Sequence, residues 1–126
     1  MDHKTVEEYV LSMPNARLDY PFGEGVAVYK VGGQGESPDA SGRGKMFALI
    51  PEGKKPMQIS LKCDPQLSEI LRGKYETVLE GYHLNKKHWI TVILSGQLPV
   101  EEIQGLILHS YNLVSGEGDQ TAPDLS

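Results

Sequence analysis

Cysteine is almost missing from this chain. Cys63 is the only one among 126 residues, and a lone thiol makes neither an internal disulfide nor a multi-cysteine zinc site. Long apolar runs are missing as well: the longest, residues 46–50 and 89–94, fall far short of the ~20 residues a membrane helix needs. The opening MDHKTVEEYV lacks the charged-then-apolar pattern of a signal peptide, so a cytoplasmic protein is expected. Positive charge is in deficit, with 12 Lys and Arg against 17 Asp and Glu and a net charge of -5. That balance argues against a general nucleic-acid coat, which needs a positive footprint. The catalytic signatures are absent too: no Gly-x-Ser-x-Gly elbow, no phosphate-cradling glycine loop and no His-Glu-x-x-His. His83 and His88 are five apart with Cys63 distant, which is no zinc spacing. A Cys63–His nucleophile pair fits poorly with a cysteine just before a helix cap, where small buried thiols are common. No catalytic residue, metal or cofactor is therefore assigned, and an enzyme is not the expectation.

What is present fits one globular domain. The chain is 39% hydrophobic and 23% charged, ordinary for a folded domain of this length, and it shows no internal repeat. Residues 1–115 are expected to form the domain, and 116–126 a polar tail. Thr5 and Glu8 fit a capping box, and Val6, Tyr9, Val10 and Met13 lie on one helical face before Pro14. Short strand-like segments follow at 17–22, 26–31, 45–50 and 57–62, separated by turn residues. In the second, Val26, Val28 and Lys30 alternate with Ala27, Tyr29 and Val31. Asp64-Pro65 opens another helix, with aspartate as cap and proline at the first position. Its apolar face is expected from Leu67, Ile70 and Leu71, and Gly73 should end it in the left-handed conformation. Residues 88–94 read as a strand, with Trp89, Thr91 and Ile93 on one side and Ile90, Val92 and Leu94 on the other. The last helix starts near Pro99 and runs to about 114, with Ile103, Leu106, Ile107, Ser110, Tyr111 and Val114 on one face.

The order α-β-β-β-β-α-β-α, with short connections, predicts an α+β fold: two layers, an antiparallel sheet with helices on one face. The connection from Gly32 to Gly44 reads GGQGESPDASGRG. It offers no large apolar residue to offset its ordering entropy, so a mobile hairpin tip is expected there.

Charge is unevenly spread. Residues 43–90 hold nine basic residues against five acidic ones; the remainder holds three against twelve. The densest polar cluster, Gly81-Tyr82-His83-Leu84-Asn85-Lys86-Lys87-His88-Trp89, lies within that basic window. Lysines supply point-charge phosphate contacts, Asn85 could bond a phosphate or base edge, and Tyr82 or Trp89 could stack a base. The alternation of Trp89 with Thr91 and Ile93 favours core packing for the tryptophan. Two other readings stay open: a small-ligand or enzymatic pocket around Tyr82, His83, Asn85, His88 and Tyr111, and a protein-interaction module.

The run GYHLNKKHWITVIL resembles the signature of the MmcQ/YjbR-like family. Pro21-Phe22-Gly23, Val28-Tyr29-Lys30-Val31-Gly32-Gly33, Lys45-Met46-Phe47-Ala48-Leu49, Leu61-Lys62-Cys63-Asp64-Pro65 and His109-Ser110-Tyr111 match in order, from the first helix to about Val114. The resemblance implies a small cytoplasmic bacterial protein with a compact α+β, double-wing shape, similar to frataxin-like and secretion-chaperone-like folds. It implies DNA as partner and no membrane. A basic face of Lys30, Lys45, Lys62, Lys86 and Lys87, with Asn85 and His88 as polar contacts, would then meet mainly phosphates. The chain departs from the family pattern at residues 34–44, inserted where a tight turn is usual; Glu36 and Asp39 in that insert argue against phosphate contact at its tip.

Overall fold

A computed structural model describes residues 2–31, 45–81 and 84–115. The expectations for the 34–44 insert, for Tyr82 and His83 and for the 116–126 tail lie outside the described residues.

The chain opens with α1 (His3–Leu11). Its cap is Asp2, not Thr5: the Asp2 carboxylate accepts the Thr5 N–H at 2.9 Å, so the helix starts three residues earlier than the capping-box reading placed it. The Thr5 hydroxyl first, and then this N–H, hold the Asp2 carboxyl below its usual range. Ser12 closes the helix, and Asn15 makes the following bend at φ 63°, a conformation asparagine tolerates better than most residues.

Four antiparallel strands follow: β1 (Ala16–Asp19), β2 (Val26–Val31), β3 (Lys45–Pro51) and β4 (Gln58–Lys62). Next come α2 (Pro65–Lys74), β5 (Val78–Glu80), β6 (Trp89–Ile93) and α3 (Val100–Val114). The sheet order is β1-β2-β3-β4-β6-β5, and every pairing is antiparallel. β5 is an addition to the expected order. Three residues carry too little alternation to announce a strand, and this one is held from outside by pairing with β6.

α2 also differs from its sequence reading. Asp64 caps it as expected, accepting the Gln66 and Leu67 amides. The helix continues through Gly73 to Lys74, however, so that glycine is not a left-handed stop. Leu71 is buried while Ile70 is 63% exposed, because the side of α2 that meets the sheet centres on Ser68 and Leu71.

Register sorts the sheet into two faces. Ala27, Tyr29, Ile50, Ile59, Leu61, Ile90 and Val92 share the main core with Val6 and Val10 of α1, Leu71 of α2, and Ile103, Leu106, Ile107 and Val114 of α3. All three helices therefore lie on one face. The other face carries a smaller cluster of Val28, Leu49 and Trp89, joined by Val26, Met46 and Leu84, and none of the described helices contributes to it.

One irregularity shapes the junction of helix layer and sheet. The β2–β3 register slips between Tyr29 and Lys30, leaving Phe47 as an extra residue between the partners of Lys30 and Tyr29; such a bulge locally breaks the ladder. Ser110 of α3 engages the bulged residue from the β4 side. Its hydroxyl donates to the Phe47 carbonyl at 2.6 Å and accepts the Lys62 N–H at 2.9 Å, joining β3 to β4 where they no longer pair directly. The flanking residues are tethers as well. Tyr111 donates to the Pro14 carbonyl at 2.6 Å and meets Phe47 edge-on. His109 Nε2 accepts the Asp64 N–H at 3.2 Å. The His-Ser-Tyr triplet thus anchors α3 to α2, to the sheet and to the end of α1.

The histidine makes the fold acid-sensitive. Burial lowers the His109 pKa from its ordinary 6.5, against an opposing effect of Asp64. The unfolded chain therefore takes up the proton first, and the stability His109 contributes is complete above pH 6.5. It drains away as pH falls from there towards the depressed folded value. His109→Gln keeps an acceptor for the Asp64 amide but does not titrate. Urea midpoints at pH 7.5 and 5 should fall further for the parent than for this variant; equal falls would place the acid sensitivity elsewhere.

Candidate functional site

Antiparallel pairing gathers lysines that are far apart in sequence. Lys45 begins β3 and Lys62 ends β4, so neighbouring strands bring both to the same end of the sheet. Lys62 pairs with Trp89, the first residue of β6, and the turn feeding β6 carries Lys86, Lys87 and His88. Lys45, Asn85, Lys86, Lys87 and His88 are exposed, and Lys62 is half-buried.

The turn is built by Asn85. Its side-chain oxygen accepts the Lys87 N–H at 3.0 Å, and its carbonyl accepts the His88 N–H at 3.1 Å. This is a short asparagine turn of the kind that mimics a backbone turn. The His88 carbonyl accepts the Cys63 N–H at 2.8 Å, which fastens the turn to β4. Lys86 and Lys87 thus project from a backbone fixed at both ends. Asn85 Oδ1 is engaged by the turn, and its NH2 offers donors to a ligand.

On the other side of the turn, Gly81 donates its N–H to the Trp89 carbonyl at 2.9 Å. A Cβ at residue 81 would lie 2.6 Å from Trp89 Cβ, closer than real Cβ atoms approach. Gly81→Ala is expected to lose ~1–3 kcal/mol, the usual range for overpacking. Chemical unfolding measures this directly, and an unchanged midpoint would mean that β5 and β6 separate at no cost.

Lys30 stands apart from the other lysines. It is 7% exposed, and its Nζ lies 3.2 Å from Asp19 Oδ2. The Asp19 carboxyl is held below its usual range first by the Tyr20 N–H and then by Lys30. Lys30 is a buried, paired residue inside the sheet, not an open phosphate contact. The other ion pair among the described residues joins Arg72 and Glu80 at 3.8 Å; neither pair involves Lys45, Lys62, Lys86 or Lys87.

Of the five residues of the pocket reading, Asn85, His88 and Tyr111 are among the described ones. The Tyr111 hydroxyl is engaged by Pro14 in the helix layer, and neither Asn85 nor His88 lines the groove on the helix-free face. The buried Cys63 thiol is pushed up to about 11, mainly by burial, so it is not a ready nucleophile. No group of three or more potential metal ligands occurs among the described residues. No helix among them is long and apolar enough to cross a membrane.

Comparison with known proteins gives a consistent pattern. The family model described as YjbR matches residues 11–113. The chain is 36% identical over 112 residues to the uncharacterized protein YbdF of Escherichia coli O157:H7, covering 89% of this chain and 83% of that one. It is 42% identical over 66 residues to the uncharacterized protein YjbR of Escherichia coli K12, covering 52% of this chain and 56% of that one. Among solved structures, the Deinococcus radiodurans protein DR2400 superposes with a TM-score of 0.81 at 34% identity, covering 91% of this chain and 79% of that one. A Pseudomonas syringae protein does so with a TM-score of 0.72 at 30% identity, covering 91% and 100% respectively.

Proposed function

The chain belongs to the YjbR family, and from that footing we propose that it binds duplex DNA through the lysine-bearing end of its sheet. One observation carries the reading. Lys45, Lys62, Lys86 and Lys87 come from three separate segments, share one end of the sheet, and enter neither ion pair formed among the described residues. In a chain of net charge -5, cations held together outside the ion pairs of the described residues are a local exception. Their geometry suits phosphates better than bases, because flexible ammonium groups act as point charges and carry little sequence information. The Asn85 NH2 and the His88 ring extend the surface as polar contacts. Lys30 supports it from within by its pairing with Asp19.

Four phosphate contacts at ~0.9 counterions each imply a slope of log affinity against log salt of about -3.6. Fluorescence anisotropy with a random-sequence duplex, from about 50 to 200 mM salt, measures it. Lys86→Ala combined with Lys87→Ala should reduce the slope by roughly 1.8, whatever the DNA sequence. The fold should be unaffected, since exposed substitutions usually change stability by no more than ~0.5 kcal/mol. An unchanged slope in the double variant would remove the turn from the site. Absence of binding by the parent at low salt would end the reading.

A further inference from the structure

The helix-free face also holds a groove that runs from the strand ends opposite those lysines across to Leu84, the residue before Asn85. It lies beside Val26 at the start of β2, Pro51 at the end of β3 and Gln58 at the start of β4. Its volume is about 880 Å³, within the range of small-molecule sites. We propose that this groove binds a small amphiphilic anion, a carboxylate on an apolar body, with the body against Leu49, Leu79 and Leu84 and the carboxylate at Lys54.

Three features of the groove select that chemistry. The walls are mostly apolar, and two of their side chains stand open to solvent: Phe22 is 61% exposed and Leu79 is 45% exposed. Exposed apolar surface gathered around a concavity is the usual mark of a binding site. The lining also holds a hydroxyl pair. Ser60 and Thr91 are 7% and 4% exposed, with their oxygens 2.9 Å apart. This pair puts polar atoms on the wall, so an occupant with a polar portion matches it better than a wholly apolar one. Charge then fixes the sign. Lys54 and Glu80 are the two charged residues of the lining. Glu80 is answered by Arg72 at 3.8 Å, whereas Lys54 enters neither ion pair among the described residues. Among the described residues the groove therefore has one cation outside any ion pair, and a single negative charge complements it. The site uses none of Lys45, Lys62, Lys86 and Lys87, so it stands or falls separately from nucleic-acid binding.

The protein carries its own reporter. Trp89 is the only tryptophan and clusters with Leu49 and Leu84, both of which line the groove. Decanoate titrated into the full chain at neutral pH should change tryptophan emission in a saturable way. The amide resonances of Ser60 and Thr91 provide a second readout. Decanol, its uncharged counterpart, should bind roughly tenfold more weakly, a difference of ~1.4 kcal/mol. Lys54→Gln should abolish that difference by weakening decanoate alone. Leu79→Glu, at an exposed wall position, should weaken decanoate at least tenfold without lowering the melting temperature. Replacing Lys86 and Lys87 with alanine should leave both curves in place. The proposal is overturned if decanoate gives no saturable response in either readout, if decanol binds as tightly, or if Lys54→Gln and Leu79→Glu both bind decanoate like the parent.

Discussion

Trp89→Ala is expected to destabilise the protein by ~3–5 kcal/mol, the range for removing a buried aromatic side chain. Small domains have a total stability of ~5–15 kcal/mol, so this single change approaches the threshold of folding. The size of the effect follows from where the ring lies. Trp89 is 6% exposed although it sits on the face that receives no helix. It packs with Val28 and Leu49 and is flanked by Met46 and Leu84. None of the described helices is placed to collapse into the cavity, and Leu84, which leads into the lysine turn, would lose its support. Trp89→Phe should retain most of the packing and cost less. Denaturant unfolding with matched slopes distinguishes the two variants; a loss below ~1 kcal/mol for the alanine would mean that the ring does not seal this face.

Ser110→Ala should cost ~2–4 kcal/mol, far more than the loss of one oxygen suggests. The hydroxyl is fully buried and serves two backbone groups, the Phe47 carbonyl and the Lys62 N–H. A buried polar group stripped of its partner costs ~1–3 kcal/mol. Here two are stripped together, just beyond the last β3–β4 pair, Ala48 and Leu61, and the half-buried Lys62 recovers part of its share from water. Hydrogen exchange at the Lys62 amide offers a local check, because that amide should lose protection ahead of its neighbours in β4. A cost below ~1 kcal/mol, with Lys62 still protected, would show that β3 and β4 stay joined beyond Ala48 and Leu61 without the serine.

Much of the fold was legible in the sequence, for identifiable reasons. The alternation in β2 and β6 and the Asp64-Pro65 start of α2 are local signals that tertiary contacts reinforce. The capping box was legible but misplaced. Asp2 and Thr5 are both good caps, and sequence alone does not say which one the packing of Val6 and Val10 selects. The bulge at Phe47 was hidden because Met46, Phe47 and Ala48 are all apolar, so a slipped register leaves no break in the pattern. β5 was hidden because its stability comes from β6 and from the close approach of Gly81 to Trp89.

The candidate site was legible only in part. The Asn-Lys-Lys-His run announced a charged turn, and antiparallel connectivity brought Lys45 and Lys62 to the same end. The burial of Lys30 was not visible, since its partner Asp19 arrives through the β1–β2 register. The groove was not visible either. Its lining comes from several strands and connecting turns, and no single stretch of sequence carries its shape.

The central claim is that the lysine end of the sheet meets nucleic-acid phosphates. Its most direct test is a chemical-shift titration of isotopically labelled protein with a short random-sequence duplex at low salt. The account predicts perturbations concentrated at Lys45, at Lys62 and Cys63, and from Asn85 to Trp89, fading together as salt is raised. Perturbations confined to other surfaces, or a spectrum unchanged at saturating duplex, would contradict it.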